Sequence, residues 1–366
     1  MTRNPDVMAD IAIVGAGMAG ASLAAELAPT GARILLLEAE HAPGYHATGR
    51  SAAFWTESYG GPGVQPLTTA SGPALRAGGY LAPRGALTIA RAGEEQALGA
   101  FADRYGALGV RVERLDRAGI AALVPGLRPG WIGGALEPDC CDIDVAKLHH
   151  DYLASARRAG VTVWTSARLA SAEPVQEGWL LATADGRTVR ASLLVNAAGA
   201  WADEVAALAG IARIGIRPLR RTVAQLRVAP VPAATLPLVL DLGETFYFKP
   251  QAGSLWLSPL DETPSPPCDA AAEELDVAAA IDRLVQAVDW RVERVEHRWA
   301  GLRSFAPDRL PVYGFSPGNS RFFWFAGQGG FGIQTAPAAA ALGAALLLSR
   351  PPDTVDPGPY AAERFA

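Results

Sequence analysis

Ile11-Ala12-Ile13-Val14-Gly15-Ala16-Gly17-Met18-Ala19-Gly20 is the stretch on which the fold turns. A short apolar run ends in glycines, residues 18–28 are rich in helix formers, and Arg33-Ile34-Leu35-Leu36-Leu37-Glu38 is a second run of strand type. The order is strand, helix, strand. Gly15 permits a tight turn, Gly17 lets the backbone approach a pyrophosphate, and Gly20 lets helix and strand pack closely. The helix start, at Met18 and Ala19, then turns unpaired N–H groups towards phosphate. Glu38 follows Gly15 by 23 residues and precedes Ala39, near the ~20-residue spacing of a carboxylate that accepts ribose hydroxyls. A glycine-rich turn alone is weak evidence. Here strand, glycines, helix, strand and acid fall in order, and a bound dinucleotide follows.

Working outward, the chain has 366 residues, 50% of them apolar, well above the ~150 residues at which a second domain is the ordinary expectation. A net charge of −5 without long runs of one sign offers no basic stripe for nucleic acid and no polybasic patch for a membrane surface. Three cysteines, Cys140, Cys141 and Cys268, are odd in number and two are adjacent, which suits neither a disulfide framework nor metal ligation. Residues 1–10 hold no cation-flanked apolar run and no small-residue cleavage site, so a cytoplasmic protein is expected. The longest apolar stretch, residues 336–348, falls short of the ~20 residues that cross a bilayer. It reads as a buried helix, with no transmembrane segment.

Between residues 39 and 63 the pattern breaks into Gly, Pro, Ser and Tyr, the composition of a long functional loop. Residues 80–144 change texture: strand-like pieces at 85–90 and 131–136 flank a charged helical stretch at 94–105, as in a segment of a second domain. A helix over 145–158 and strands at 161–165 and 193–196 return the chain to the nucleotide unit. A second excursion, over about 217–294, carries strands at 223–228, 246–249 and 254–257 and a Pro-rich turn at 263–267.

FAD and the nicotinamides share the opening unit, and two further segments favour FAD. Gly44-Tyr45-His46-Ala47-Thr48-Gly49-Arg50-Ser51-Ala52-Ala53 follows the acid, and its small residues and hydroxyls suit a wall along a long dinucleotide. Gly327-Gln328-Gly329-Gly330-Phe331-Gly332-Ile333-Gln334-Thr335 precedes the last apolar helix, so its N–H groups suit the flavin pyrimidine ring, where a helix start stabilises negative charge. Together with Asn196-Ala197-Ala198-Gly199-Ala200-Trp201 and Trp299-Ala300-Gly301-Leu302-Arg303-Ser304-Phe305, these segments resemble the D-amino-acid oxidase superfamily of FAD-dependent oxidoreductases. The nearest branch is that of bacterial D-arginine and related D-amino-acid dehydrogenases, and the likeness runs over residues 10–348. It implies FAD contacts at Leu169 and Gly199 as well. It also implies non-covalent FAD, because Leu310-Pro311-Val312-Tyr313-Gly314 stands where some relatives carry a cysteine.

Oxidation at an α-carbon requires the substrate carboxylate to be gripped, and the arginine fork suits that task. The resemblance implies that Arg303 and Arg221 do so, with Gly330 beside them, while Arg220 reads as a solvated surface charge. Tyr59 and Tyr247 match family tyrosines that close over the substrate; as residues alone they suit a core position equally. Phe54 stands where the nearest branch has a histidine, and Ala86 where its basic-substrate members have a carboxylate. A small or apolar substrate side chain is therefore expected, with Glu244 or Glu57 as distant anions. Histidine titrates near neutrality, which makes His46 and His297 acid-base candidates, but both read first as cofactor-loop or packing residues.

The expected architecture is α/β: a Rossmann-like FAD-binding domain of the glutathione-reductase type, from residues 1–79, 145–216 and 295–366, and a mixed-sheet α+β substrate domain from 80–144 and 217–294. The expected activity is FAD-dependent oxidative deamination of a D-amino acid to the 2-oxo acid and ammonia by a dehydrogenase or oxidase, with a quinone, a carrier or oxygen as electron acceptor. The alternative substrates on the same fold are a secondary amine of the sarcosine or glycine type and a 2-hydroxy acid.

Overall fold

The computed structural model describes residues 7–366; Met1 to Asp6, counted above with the first domain, lie outside the described residues. Val7–Val14 is the first strand, Met18–Leu27 the helix after it, and Ile34–Leu37 the second strand. The two strands run parallel, Ile11 beside Ile34 and Val14 beside Leu37, and Thr188–Asn196 lies parallel on the other side. Successive side chains on a strand face opposite ways. Ile11, Ile13, Ile34 and Leu36 pack with Leu23 and Leu27 of the first helix and Leu342 of the last helix, Ala336–Leu347. Ala12, Val14, Leu35 and Leu37 pack on the other face against Leu169, Trp179 and Val205. Covered on both faces, these strands read as unbroken apolar runs. Thr162–Trp164, the antiparallel pair Leu169–Val175 and Gly178–Thr183, and the pair Val312–Ser316 and Asn319–Ala326 complete an eight-stranded sheet.

A second, ten-stranded sheet is built around the antiparallel pair Arg217–Ala229 and Arg291–Phe305. Its strands are antiparallel except where Leu238–Asp241 lies beside Ala86–Arg91. The helix Glu274–Ala287 buries Val277, Ala280 and Leu284 against its core. Residues 295–305, grouped from sequence with the first unit, pair in this second sheet. That partnership spans about eighty residues of chain and leaves no local signal. The chain passes from the first sheet to the second at Gly327, because Asn319–Ala326 pairs in one and Gln328–Gly329 in the other. Gly327 and Gly329 take φ of 73° and 55° there, the left-handed region that glycine enters freely. The loop after Glu38 holds one short element, Phe54–Trp55, which pairs with Cys141–Ile143 in a third sheet. Among the described residues, no helix is long and apolar enough to cross a membrane.

A Cβ on residue 20 would lie 1.9 Å from the Gly15 carbonyl oxygen, backbone against backbone. Gly20→Ala is therefore expected to destabilise the protein by about 1–3 kcal/mol, read as a lower thermal midpoint. An unchanged midpoint would contradict the close packing of this turn.

Candidate active site

The glycine turn is held from several sides. Gly15 has φ of +101°, and a Cβ there would lie 2.4 Å from the Ala197 carbonyl oxygen, so both conformation and contact require glycine. The Ala16 N–H donates to Glu38 Oε2 at 3.0 Å and the Glu40 N–H to Glu38 Oε1 at 2.9 Å, which fixes the carboxylate at the end of its strand. Burial pushes the Glu38 carboxyl above its ordinary range, and these two donors oppose that shift. His149 Nε2 lies 2.8 Å from the Ala16 carbonyl oxygen; since a carbonyl only accepts, the ring donates from Nε2. Burial holds His149 below its ordinary value, in the neutral form. The helix Met18–Leu27 has Gly17 as its N-cap, with no side-chain cap. Thr48 Oγ1 accepts from the Met18 N–H at 2.9 Å, and the helix start otherwise faces a cavity.

That cavity is continuous and long. It starts at Gly15, Gly17, Met18, Ala19, Glu38 and Ala39, passes Arg50, Ser51, Ala52, Ala53, Leu169 and Gly199, and ends among Arg221, Tyr247, Arg303, Gly329, Gly330, Gly332, Ile333 and Gln334. Its lining joins the glycine turn to the arginine pair, and it opens to solvent. The space fits an extended dinucleotide with a second small molecule at its far end. Gly20 and Gly49 stand behind the wall; the Gly49 N–H donates to the Gly44 carbonyl at 2.8 Å and shapes the loop. Arg50 spends its guanidinium on the Ala270 and Ala300 carbonyls, at 2.7 and 3.2 Å, and on the Asp269 carboxylate, so its charge closes a loop of the second sheet over the cavity. The Gln334 side chain is likewise occupied, accepting from the Thr56 N–H and donating to the Tyr59 carbonyl and Thr68 Oγ1.

At the far end, strand register decides which arginines meet. Arg221 lies opposite Gly301 and Arg303 opposite Leu219, so the two arginines share a sheet face as diagonal neighbours. Arg220 faces the other way and pairs with Glu273 and Asp276 at the start of the helix Glu274–Ala287. Its side chain is 12% exposed, which corrects the expectation of a solvated charge. Arg303 donates to the Tyr59 hydroxyl, and Arg221 Nε donates to the Asp261 carbonyl at 2.7 Å. Arg221 Nη1 is buried with no hydrogen-bond partner among the described residues. A Cβ at Gly330 would lie 1.9 Å from Arg303 Nη2, so a side chain there would displace this guanidinium. The Phe54 ring stands 5.3 Å from Tyr59 and 5.8 Å from Tyr247, edge to face, and Phe331 lies 5.2 Å from Tyr59. Burial pushes the Tyr247 hydroxyl up to about 12.

Not every expected residue arrives. Glu244 sits exposed in the turn between Leu238–Asp241 and Tyr247–Gln251, with φ of 53°, and does not line the cavity. Nor does Glu57, whose carboxylate accepts from Thr69. Ala86 is buried behind Phe54 and Tyr247 rather than in the wall. His46 lines the dinucleotide end, bonded to Glu40 and 4.6 Å from the Trp201 ring, whereas His297 is exposed on its strand beside Trp299. Thr48, His149 and Glu137 were missed. Thr48 lay within the loop already quoted, but the other two act through partners more than seventy residues away, for which the sequence carries no signal.

Glu137 is 3% exposed and accepts from Thr56 Oγ1, the Glu57 N–H, the Ser58 N–H and Ser58 Oγ, so one buried carboxylate pins the three residues before Tyr59. Burial pushes its carboxyl up, and these four donors work against the shift.

Comparison with known proteins agrees with this geometry. Residues 10–346 match the family described as DAO, FAD dependent oxidoreductase, and the chain belongs to it. The glycine oxidase of Pseudomonas aeruginosa is 30% identical over 66% of this chain and 65% of its own length, so the likeness spans slightly less than two thirds of that relative. The crystal structure of glycine oxidase from Geobacillus kaustophilus superposes with a TM-score of 0.85 at 23% identity, over 97% of this chain and 98% of that one. That of L-proline dehydrogenase from P. horikoshii gives 0.86 at 19%, over 99% and 98%. These two likenesses speak for the fold. FAD is the cofactor, and when bound it supplies an acceptor for two electrons.

Glu137→Ala leaves four donors without their acceptor. The variant is expected to lose roughly 3 kcal/mol of unfolding free energy in a urea titration. A stability equal to the parent's would show that this anchor is idle.

Proposed function

We propose that the protein oxidises the α-carbon of a small amino acid in the cytoplasm, with glycine and small apolar D-amino acids such as D-alanine as its substrates, releasing ammonia and the 2-oxo acid. The observation that carries this reading is the pair Arg221 and Arg303 on one sheet face at the end of the dinucleotide cavity, with Arg221 Nη1 buried and unpaired. A buried guanidinium donor without a partner favours an anion, and a carboxylate matches the arginine fork. The rings of Phe54, Tyr59 and Tyr247 crowd the same end, and among the described residues no free carboxylate lines it for a cationic side chain. In this reading the chain's own residues hold the carboxylate, orient the α-carbon and exclude water. A second reading, an N-alkylated glycine such as sarcosine, is favoured by the likeness to the mitochondrial dimethylglycine dehydrogenase of Rattus norvegicus, 27% identical over 55% of this chain and 26% of its own length.

Turnover with an artificial acceptor, scored by ammonia and 2-oxo acid, tests the proposal on glycine, sarcosine, D-alanine, L-alanine, D-arginine and lactate. Glycine and D-alanine are expected to react best among them; exclusive oxidation of lactate or L-alanine would overturn the reading. Arg303→Lys is expected to lower kcat/KM roughly 10- to 100-fold by loss of the planar fork, mostly through KM. Tyr247, with its hydroxyl near 12, stays a neutral phenol at ordinary pH. Tyr247→Phe should therefore raise KM without moving the alkaline limb of the pH profile. A shift of that limb would assign the titrating group to Tyr247.

A further inference from the structure

Glu262 touches both arginines of the site from behind. Its Oε1 lies 3.4 Å from Arg221 Nη2 and 3.5 Å from Arg303 Nη1, while Arg309 grips it from the solvent side, Nη2 to Oε1 at 2.7 Å and Nη1 to Oε2 at 3.0 Å. Three guanidiniums thus converge on one carboxylate. Glu262 does not line the cavity; it stands on the far side of the arginine pair, about one third exposed, with Arg309 half exposed beyond it. Burial works against its charge, but the hydrogen bonds and charges of Arg309, Arg303 and Arg221 prevail and hold it below the ordinary carboxylate range.

We infer that Glu262 sets the charge that the site accepts: together with Asp261, whose Oδ1 stands 3.9 Å from Arg221 Nε, it counters two of the three guanidiniums, so the inner pair takes one substrate carboxylate and rejects a second. This rests on the carboxylate-gripping role of Arg221 and Arg303 proposed above. The charge count is simple: the guanidiniums of Arg221, Arg303 and Arg309 against the carboxylates of Glu262 and Asp261 leave a single positive charge, matched by the α-carboxylate of a monocarboxylic amino acid. Arg221 Nη2 and Arg303 Nη1 are turned to Glu262, which leaves Arg221 Nη1, buried and unpartnered, and Arg303 Nη2, beside the Tyr59 hydroxyl, for the ligand. A substrate with a side-chain carboxylate brings a second anion to a site whose second positive charge is already countered. Like charges across so short a distance in a partly buried setting disfavour it strongly. Nor is Glu262 a receptor for a cationic side chain, since Arg309 already engages both its oxygens.

The test uses the holoprotein and two non-reacting probes, acetate and malonate, with binding read from the perturbation of the flavin absorbance band. The parent is expected to bind acetate more tightly than malonate. In Glu262→Gln the preference should swing towards malonate by roughly tenfold or more. Arg309→Gln leaves Glu262 to the inner pair alone, so it should keep or sharpen the parent's discrimination, and it guards against a Glu262 variant that fails to fold. Acetate and malonate competing with the amino-acid substrate in the parent, but with a ratio unmoved by Glu262→Gln, would overturn this inference alone. If neither probe binds the parent in competition with substrate, the carboxylate site fails and the inference with it. Discrimination lost in Arg309→Gln would move the effect to Arg309 and also overturn the assignment.

Discussion

Burying two guanidiniums side by side is the constraint around which the functional end of this protein is arranged. Arg221 and Arg303 lie on one face of the second sheet because the register of their strands places them diagonally, and each needs an anion or a dipole to offset the loss of water. The Tyr59 hydroxyl, the Asp261 carbonyl and the Glu262 carboxylate supply part of that compensation. Burial still pulls Arg303 below its ordinary value, and the neighbouring Arg221 charge adds to the effect. What remains uncompensated among the described residues is Arg221 Nη1, the donor that the proposed function gives to a ligand anion.

The rest of the site serves to keep that pair in place and dry. Glu137 fixes the segment that carries Tyr59, and Gln334 ties the same segment to the glycine-rich stretch that begins the last helix. Phe54 and Phe331 meet Tyr59 edge to face, and Tyr247 meets Phe54 in the same way. At the other end, Gly15 and Gly20 allow backbone to lie against backbone, and Glu38 and His149 hold the turn between them. Because the chain crosses between the sheets at Gly327, the dinucleotide end and the arginine pair open into one cavity.

The parts written in local sequence were readable. The turn at Gly15-Ala16-Gly17, the helix after it and the acid at Glu38 follow one another within thirty residues, and each has a short-range cause. The strand that follows Arg221 was readable at residues 223–228, but no strand was read around Arg303 and the pairing of the two segments was not visible, so Arg220 was taken for a solvated charge. Glu244 fell to a different cause: the hairpin turn carries it to the surface three residues past Asp241, though Tyr247, three residues further on, lines the cavity. Glu137 and Glu262 are carboxylates among thirty-seven acidic residues, and nothing but their remote partners distinguishes them.

The central claim is that the arginine pair presents a small amino acid to the bound flavin. An anaerobic absorbance spectrum of the purified protein, taken before and after stoichiometric glycine or D-alanine, tests it most directly. The account predicts a yellow protein bleached by these two and left yellow by L-alanine. A yellow protein that neither compound bleaches, and that another donor class does, would contradict it.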